Sequence, residues 1–297
     1  MTSYRVGLDV GGTKAAVLAE PVCGDGELID VVIAATEWDA EPYAHGARWL
    51  DAVIRRALPP DAAVTVLAVG AQGFDSLATV DAVVGALGEL GYPTVVGVND
   101  AALLVPAAGL VDGIGLIAGT GAIGVGTTAD GAPLASGGWG WVLGDEAGAA
   151  GIVRDATRLA LRTHDDGSPD DGLLSALLAS YEVEDPERLA RAVNDEPTMA
   201  NWGPHAPAVF SAADAGSADA ASVIDGAADH LVLLVDQLLR RGAVGRDVVA
   251  AGGVIVAQPR LQRALRERLG RRHPDLRLHL LTRAPVHGAL ELARRIG

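Results

Sequence analysis

An acidic residue is followed by a glycine-rich turn near the start of the chain, in the run Asp9-Val10-Gly11-Gly12-Thr13-Lys14. Because glycine has no side chain, backbone N–H groups at such a turn can approach phosphate oxygens closely. Thr13 and Lys14 would add a hydroxyl and an ammonium donor, and Asp9 would hold a magnesium ion through water. The run predicts a site for nucleotide phosphates, with a purely structural hairpin as the alternative.

Two further glycine turns follow apolar stretches that are typical of buried strands. Gly119-Thr120-Gly121 separates the apolar runs 113–118 and 122–127, and it would cradle a second phosphate. Gly252 and Gly253 stand between a strand at 248–251 and a helix, where a flat base would lie against bare backbone. Together the three turns offer two candidate sites for phosphate groups and one for a flat base.

A carboxylate also stands directly after a strand in the middle of the chain, in Val98-Asn99-Asp100-Ala101-Ala102. A carboxylate at a strand end, followed by small residues, is placed to accept a hydroxyl proton during phosphoryl transfer. Asp100 is therefore the predicted catalytic base. The alternative is a helix cap before 101–104, and the two roles are compatible.

The order of the elements predicts α/β architecture. A strand, glycine turn and strand at 5–19 are repeated at 113–127, which we interpret as the first hairpins of two related domains, with two unrelated turns as the alternative. The β-branched runs 64–69 and 94–98 alternate with helical patterns and are typical of parallel strands. We predict domains at 1–101 and 102–284, with a C-terminal helix at 285–297 packing back on the first.

The three turns, in this order, resemble the two phosphate elements and the adenosine element of the superfamily that contains actin, the heat-shock chaperone ATPases and the sugar kinases. Within that superfamily, Gly137-Gly138-Trp139-Gly140 and Leu143-Gly144-Asp145-Glu146-Ala147-Gly148 resemble a segment of the N-acetylglucosamine kinases and the BadF/BadG-type ATPases. These two runs are the most specific signal in the chain.

The resemblance implies two actin-like (ribonuclease H-like) domains with a ligand cleft between them. It further implies ATP- and Mg²⁺-dependent phosphorylation of an amino sugar of the N-acetylglucosamine or glucosamine type, by an enzyme expected to be a homodimer. Asp100 would be the base facing the sugar hydroxyl, and Thr13 and Thr120 would contact ATP. The implied sugar contacts are Gly138, Trp139, Gly140 and Asp145. For Trp139, a role as a core anchor is the alternative.

Two departures from the family pattern concern the sugar. Where the acetylglucosamine kinases have Ser/Thr-Asn and then Trp, this chain has Ala35-Thr36-Glu37-Trp38. After the second phosphate turn, their Ser-Asn is replaced by Ala122-Ile123. We therefore predict that Thr36 and Glu37 contact the sugar, and that Glu37 favours a free amino group over an acetamide. The alternative is that Glu37 is an exposed surface residue beside Trp38.

Composition excludes several other classes of protein. The formal net charge of -15 argues against a nucleic-acid partner, and Cys23, the single cysteine, allows neither an internal disulfide nor a four-cysteine zinc site. Without a signal-peptide pattern or an apolar run of about 18 residues, we expect a cytoplasmic protein with no membrane partner.

Three other functions compete with the amino-sugar kinase. An ATPase activator of a radical dehydratase would hold an iron–sulfur cluster with two cysteines per chain, whereas this chain has one. A glucokinase-like hexose kinase would share the opening Leu8–Lys14, but its Glu-x-Gly-His motif is not found. A catalytically silent sugar sensor with the same fold stays open.

Overall fold

The computed structural model describes residues 2–23, 26–35, 37–74 and 76–297. They form two compact units, Met1–Asp112 with Leu281–Gly297, and Gly113–Leu280. The units divide at 112 and 281 rather than at the predicted 101 and 285. The first unit extends beyond 101 because the residues after Asp100 pack against the C-terminal helix, where the carbonyl of Leu103 lies against Gly288.

The first unit is an α/β structure with helices on both faces of its sheet. Its elements are β1 (Ser3–Val10), β2 (Lys14–Pro21), β3 (Ile29–Ala34), α1 (Tyr43–Ala57), β4 (Ala63–Ala71), α2 (Leu77–Glu89), β5 (Val95–Asn99), a 3-10 turn (Asp100–Leu103) and α3 (Leu104–Ala107). The C-terminal helix, α12 (Val286–Ile296), completes the unit.

The second unit contains more helix than the first. Its elements are β6 (Ile114–Ala118), β7 (Ala122–Thr127), β8 (Pro133–Gly137), α4 (Ala149–Asp165), α5 (Leu173–Ser180), α6 (Pro186–Asn194), α7 (Met199–Trp202), a 3-10 turn (Gly203–His205), α8 (Ala206–Asp214), α9 (Ala218–Arg240), β9 (Asp247–Ala251), α10 (Gly253–Ala257), α11 (Pro259–Arg272) and β10 (Arg277–Leu280). In the part of the chain that the structure describes, no helix has the length and apolar character needed to span a membrane.

The two sheets have the same topology. Over the described residues, the strand orders are β3-β2-β1-β4-β5 and β10-β9-β6-β7-β8. In each sheet a central strand pairs antiparallel with the next strand along the chain and parallel with the fourth strand of its unit. The repeated hairpin predicted from the sequence is confirmed, and the turns at 11–13 and 119–121 each connect the first two strands of a sheet.

The strands that the sequence analysis did not identify are edge strands. β3 alternates between partly buried and exposed residues, β8 begins with proline and ends with glycine, and β10 has only four residues. These edge strands are less buried than the central strands, and edge strands tolerate proline, so their sequence patterns are weaker. The sequence analysis also missed helices α5 to α8. These helices are short, so their apolar residues repeat too few times to show a helical pattern.

Glycines bring the backbones of the first unit into close contact. A Cβ at Gly7 in β1 would overlap the backbone of Leu290 in α12, and one at Gly288 would overlap the carbonyl of Leu103. In β4, the space that a side chain at Gly70 would occupy is filled by the fully buried side chain of Leu103. Helix α12 and the segment after β5 therefore pack closely against each other and against the sheet.

The packing of α12 on β1 predicts that Gly7→Ala is destabilising. The added methyl group must displace helix backbone rather than a mobile side chain, and overpacking of this kind costs about 1–3 kcal/mol. The matched control is Gly85→Ala, in the exposed surface of α2 with open space around the new Cβ, which should gain about 0.5–1 kcal/mol. Urea unfolding of both variants measures the difference, and equal stability would contradict the described packing.

Candidate active site

The ends of three parallel strands place acidic residues at one edge of the first sheet. Asp9 on β1 pairs with Gly70 on β4, and Gly70 pairs with Val98 on β5. Asp100 comes two residues after Val98 and begins the 3-10 turn. The strand register thus brings two predicted site carboxylates, Asp9 and Asp100, to the same edge, where parallel sheets usually bind ligands.

Asp9 lies in an environment that opposes its ionisation. Burial, and after it the neighbouring charge of Asp100, raise the pKa of Asp9 to about 6, whereas the ammonium of Lys14 acts in the opposite direction. Two carboxylates and one ammonium are therefore close enough to influence one another. Desolvation and a like charge disfavour the ionised form, so this pair of carboxylates is placed to take up a proton or a cation.

The capping interactions at the start of the 3-10 turn are shared by Asn99 and Asp100. The backbone N–H of Ala101 donates to Oδ1 of Asn99 at 3.0 Å and to Oδ1 of Asp100 at 2.9 Å. Asn99 is the N-cap residue. Asp100 thus makes the capping contact that was considered as its alternative role, and its role as the catalytic base stays a prediction.

The first glycine turn is closed by backbone hydrogen bonds and leaves its side chains exposed. Gly11 N–H donates to the carbonyl of Lys14 at 3.0 Å, and Thr13 and Lys14 are exposed. A Cβ at Gly12 would lie 2.9 Å from Oε1 of Gln72. Gln72, which the sequence analysis missed, follows β4 directly and places an amide beside the turn. Its position just after a strand was the only available signal.

The segment predicted to select the sugar is only partly described. Thr36 lies outside the described residues. Glu37 is exposed, whereas the indole of Trp38 donates to the carbonyl of Gln72 at 3.0 Å and packs against Trp49 with ring centroids 5.2 Å apart. Trp38 thus anchors this segment to the first unit.

In the second unit, the two glycine turns lie against each other. Gly252 adopts φ of 108°, and a Cβ there would lie 2.9 Å from the backbone nitrogen of Gly119. A Cβ at Gly148, just before α4, would lie 2.7 Å from the carbonyl oxygen of Thr120. The turn Gly119–Gly121 is thus enclosed on two sides by backbone, while the side chain of Thr120 is exposed.

Asp145 lies beneath the second turn and is only 5% exposed. Its Oδ2 occupies the space beside Gly121, 2.7 Å from where a Cβ would be, and its backbone has the left-handed φ of 57°. Burial raises the pKa of Asp145, a hydrogen bond from the backbone of Ala122 lowers it, and the charge of Glu146 raises it. A direct sugar contact by Asp145 stays a prediction.

The loop predicted to contact the sugar, residues 137–144, contains glycines with positive φ and exposes apolar side chains. Gly138 and Gly140 have positive φ, of 72° and 84°, and Trp139 is 77% exposed, which excludes a core-anchor role in the second unit as described. Arg154 on α4, missed by the sequence analysis, donates to the carbonyls of Trp141 and Gly144, the latter at 3.0 Å. No spacing in the sequence indicated this contact.

Comparison with known proteins decides the family. The model of the BadF/BadG/BcrA/BcrD ATPase family matches residues 6–293. The chain belongs to this family. The resemblance drawn from the glycine turns and the Gly137–Gly140 segment is therefore confirmed.

Relatives of this BadF/BadG/BcrA/BcrD family chain include known sugar kinases. An N-acetyl-D-glucosamine kinase of Dictyostelium discoideum is 28% identical over 204 residues, which cover 66% of this chain and 64% of that protein. The chain thus spans slightly less than two thirds of the curated relative it matches.

Solved structures share the two-domain actin-like fold. A candidate N-acetylglucosamine kinase from Chromobacterium violaceum has a TM-score of 0.70 at 23% identity, covering 98% of each chain. A ROK family glucokinase from Streptomyces griseus, solved with glucose and AMPPNP, has a TM-score of 0.56 at 18% identity, covering 99% of this chain and 100% of that one. The α/β fold class predicted from the sequence is confirmed.

The raised pKa of Asp9 predicts a specific pH dependence of stability. The folded carboxyl binds its proton up to about pH 6, whereas the unfolded one releases it near 3.8. The contribution of Asp9 to the free energy of unfolding therefore falls as pH rises through this window. Replacement by asparagine should stabilise the protein by about 3 kcal/mol at pH 7.5 but only about 1 kcal/mol at pH 4.5.

Urea unfolding of wild type and Asp9→Asn at the two pH values measures this difference. Asp81→Asn, an exposed position on α2, is the matched control and should differ from wild type by the same small amount at both. A pH-independent effect of Asp9→Asn would mean that Asp9 ionises normally.

Proposed function

We propose that this protein transfers the terminal phosphoryl group of ATP to a hydroxyl group of an amino sugar. The observation that carries the proposal is the coupling of Asp9, Asp100 and Lys14 at the strand ends beside the first glycine turn. The similarity to the N-acetyl-D-glucosamine kinase of Dictyostelium discoideum supports it.

In this proposal Asp100 accepts the proton of the attacking hydroxyl. Asp100 stands at the strand ends close enough to Asp9 for its charge to raise the pKa of Asp9. One oxygen of Asp100 is held by the N–H of Ala101 at 2.9 Å, which fixes the orientation of the carboxylate. Positioning of this kind is the main contribution a protein makes to phosphoryl transfer.

The glycine turns are the proposed nucleotide contacts. Backbone N–H groups of Gly11 and Gly12, with Thr13 and Lys14, would bind phosphate oxygens from the first unit. In the second unit, Gly119, Thr120 and Gly121 would bind phosphate, and Gly252 and Gly253 would contact adenosine. The close backbone packing of Gly252 on Gly119 supports a shared role for these two turns.

The donor set at Asp9 fits Mg²⁺. The ion prefers oxygen ligands, keeps several waters and usually binds one or two carboxylates together with substrate phosphates. Asp9 and Asp100 supply carboxylates whose repulsion a cation would relieve, and among the described residues no larger cluster of metal-ligating side chains is present. When bound, Mg²⁺ would neutralise phosphate charge, and Asp9 would hold it through water.

The sugar contacts proposed in the second unit are Gly138, Trp139, Gly140 and Asp145. The exposed indole of Trp139 has an apolar face on which a sugar ring could pack. The hydrogen bond from Arg154 to the carbonyl of Gly144 fixes the backbone of the same loop. The ligand cleft between the two domains, the homodimer and the cytoplasmic location stay predictions.

A coupled assay of ADP release against a panel of hexosamines and hexoses tests the function. Release that depends on an amino sugar is expected. Release that depends equally on glucose would favour a hexose kinase. Sugar-independent hydrolysis would favour an ATPase activator, and no release at all would favour a sugar sensor.

Asp100→Asn should lower the turnover number by about 10²-fold or more, because the amide cannot accept the hydroxyl proton. ADP binding, measured by calorimetry, should stay close to wild type, since the turn residues are unchanged. If Asp100→Asn retains full activity, the carboxylate serves only to cap the 3-10 turn.

We also propose that Glu37 distinguishes a free amino group from an acetamide. A carboxylate paired with the ammonium of glucosamine contributes about 1.5–3 kcal/mol, so Glu37→Gln should reduce the preference for glucosamine over N-acetylglucosamine by about tenfold or more. Glu27→Gln, exposed in the same unit, is the matched control. An unchanged ratio of the two kcat/KM values in Glu37→Gln would place substrate choice elsewhere.

A further inference from the structure

Three buried polar atoms lie together in the second unit beneath the turn Gly119–Gly121. They are Oδ1 of Asp145, Oε2 of Glu146 and Nε2 of His230, and none has a hydrogen-bond partner within the described structure. Oε2 of Glu146 and Nε2 of His230 are 3.2 Å apart, which is an ion-pair distance without hydrogen-bond alignment. The loop before α4 supplies the two carboxylates, and α9 supplies the histidine.

The cluster is connected to the phosphate turn through Asp145. The backbone of Ala122, the first residue after the turn, hydrogen-bonds to the Asp145 carboxylate. The carbonyl of Asp145 accepts from the N–H of Gly148 at 2.8 Å, next to Ala149, whose N–H donates to the carbonyl of Gly119 at 2.8 Å. A shift of Asp145 would therefore move the backbone on both sides of the turn.

His230 faces two adjacent carboxylates, Asp145 and Glu146. Burial and the charge of Glu146 raise the pKa of Asp145, whereas His230 and Arg154 lower it. Arg154 is already engaged by Asp155 and by two backbone carbonyls. Without His230, Glu146 would lose its partner, and its repulsion of Asp145 would be less compensated.

The histidine is held firmly by its helix. His230 lies in the middle of α9, between the buried residues Ala228 and Leu231, and its side chain is 17% exposed. Its Nε2 atom is inaccessible to solvent, so a direct contact with a ligand would require the cluster to open. A role through Glu146 and Asp145 needs no such movement.

We infer that His230 is a positioning residue for ATP. By holding Glu146, it keeps Asp145 seated beneath Gly121 and thereby fixes the turn Gly119–Gly121 in its phosphate-binding geometry. The inference rests on the proposed function, because it assumes that this turn binds nucleotide. It gives Asp145 a task at the phosphate turn in addition to any contact with sugar.

The test compares His230→Leu and His230→Gln with wild type. ADP affinity is measured by calorimetry, and KM for ATP and for the sugar by the coupled assay. In His230→Leu, the Kd of ADP and KM for ATP should rise about threefold to thirtyfold, the usual range for residues that act through others. His230→Gln should show a smaller rise, because its amide keeps a polar N–H group near Glu146. KM for the sugar should change less than twofold in both variants.

His273→Gln is the matched control. His273 also pairs with a carboxylate on α9, Asp236, but it belongs to the contact with α11 and lies outside the proposed site. The variant His273→Gln removes an ion pair to the same helix and should leave both KM values unchanged. If His230→Leu does not fold, the pair of variants His230→Gln and Glu146→Gln is used instead, and their effects on ADP affinity should be non-additive in the double variant.

The inference is overturned if ADP affinity is unchanged in the His230 variants, if His273→Gln has the same effect, or if only the sugar KM rises. These outcomes differ from a failure of the proposed function, in which wild type shows no sugar-dependent ADP release. Calorimetry with ADP alone still reports on His230 in that case.

Discussion

A carboxylate buried at the end of the central strand is the main electrostatic constraint on the first unit. Asp9 closes β1 where β4 and β5 also end, and burial together with Asp100 raises its pKa to about 6. A fold that places two carboxylates so close loses stability near neutral pH unless a cation or proton joins them. Close packing resists their separation, because Gly7, Gly70 and Gly288 let backbone and side chains meet without intervening atoms.

In the second unit, close packing of backbone rather than a pair of charges shapes the corresponding turn. Its turn at 119–121, the proposed phosphate contact, is enclosed by Gly252 and Gly148, whose missing side chains allow main chain to lie against main chain. The acidic residue nearby, Asp145, is turned inward and buried. Two units with the same sheet topology therefore present different surfaces, one with carboxylates at the strand ends and one with backbone and an exposed hydroxyl at Thr120.

The central strands and glycine turns were predictable from sequence because both are local features. Val6 and Leu8 are fully buried, so their apolar character shows in the sequence, and glycines between two such runs predict a hairpin. The half-exposed edge strands carry weaker patterns. The side chains that were missed contact residues far away in the sequence: Gln72 lies beside Gly12, and His230 pairs with Glu146. Such contacts depend on how helices and strands pack, which residue type and spacing do not encode. The domain boundary predicted at 101 was displaced for the same reason.

Lys14 illustrates how composition and structure together indicate a function. It is the single lysine among 23 basic residues, and in the described residues the side-chain ion pairs are formed by arginine and histidine. Arginine suits such fixed, planar pairings, whereas lysine is a compact charge on a flexible stem. Lys14 is exposed, yet its charge reaches Asp9. This exposed ammonium partly balances a buried carboxylate, as expected of the proposed contact between Lys14 and a phosphate group.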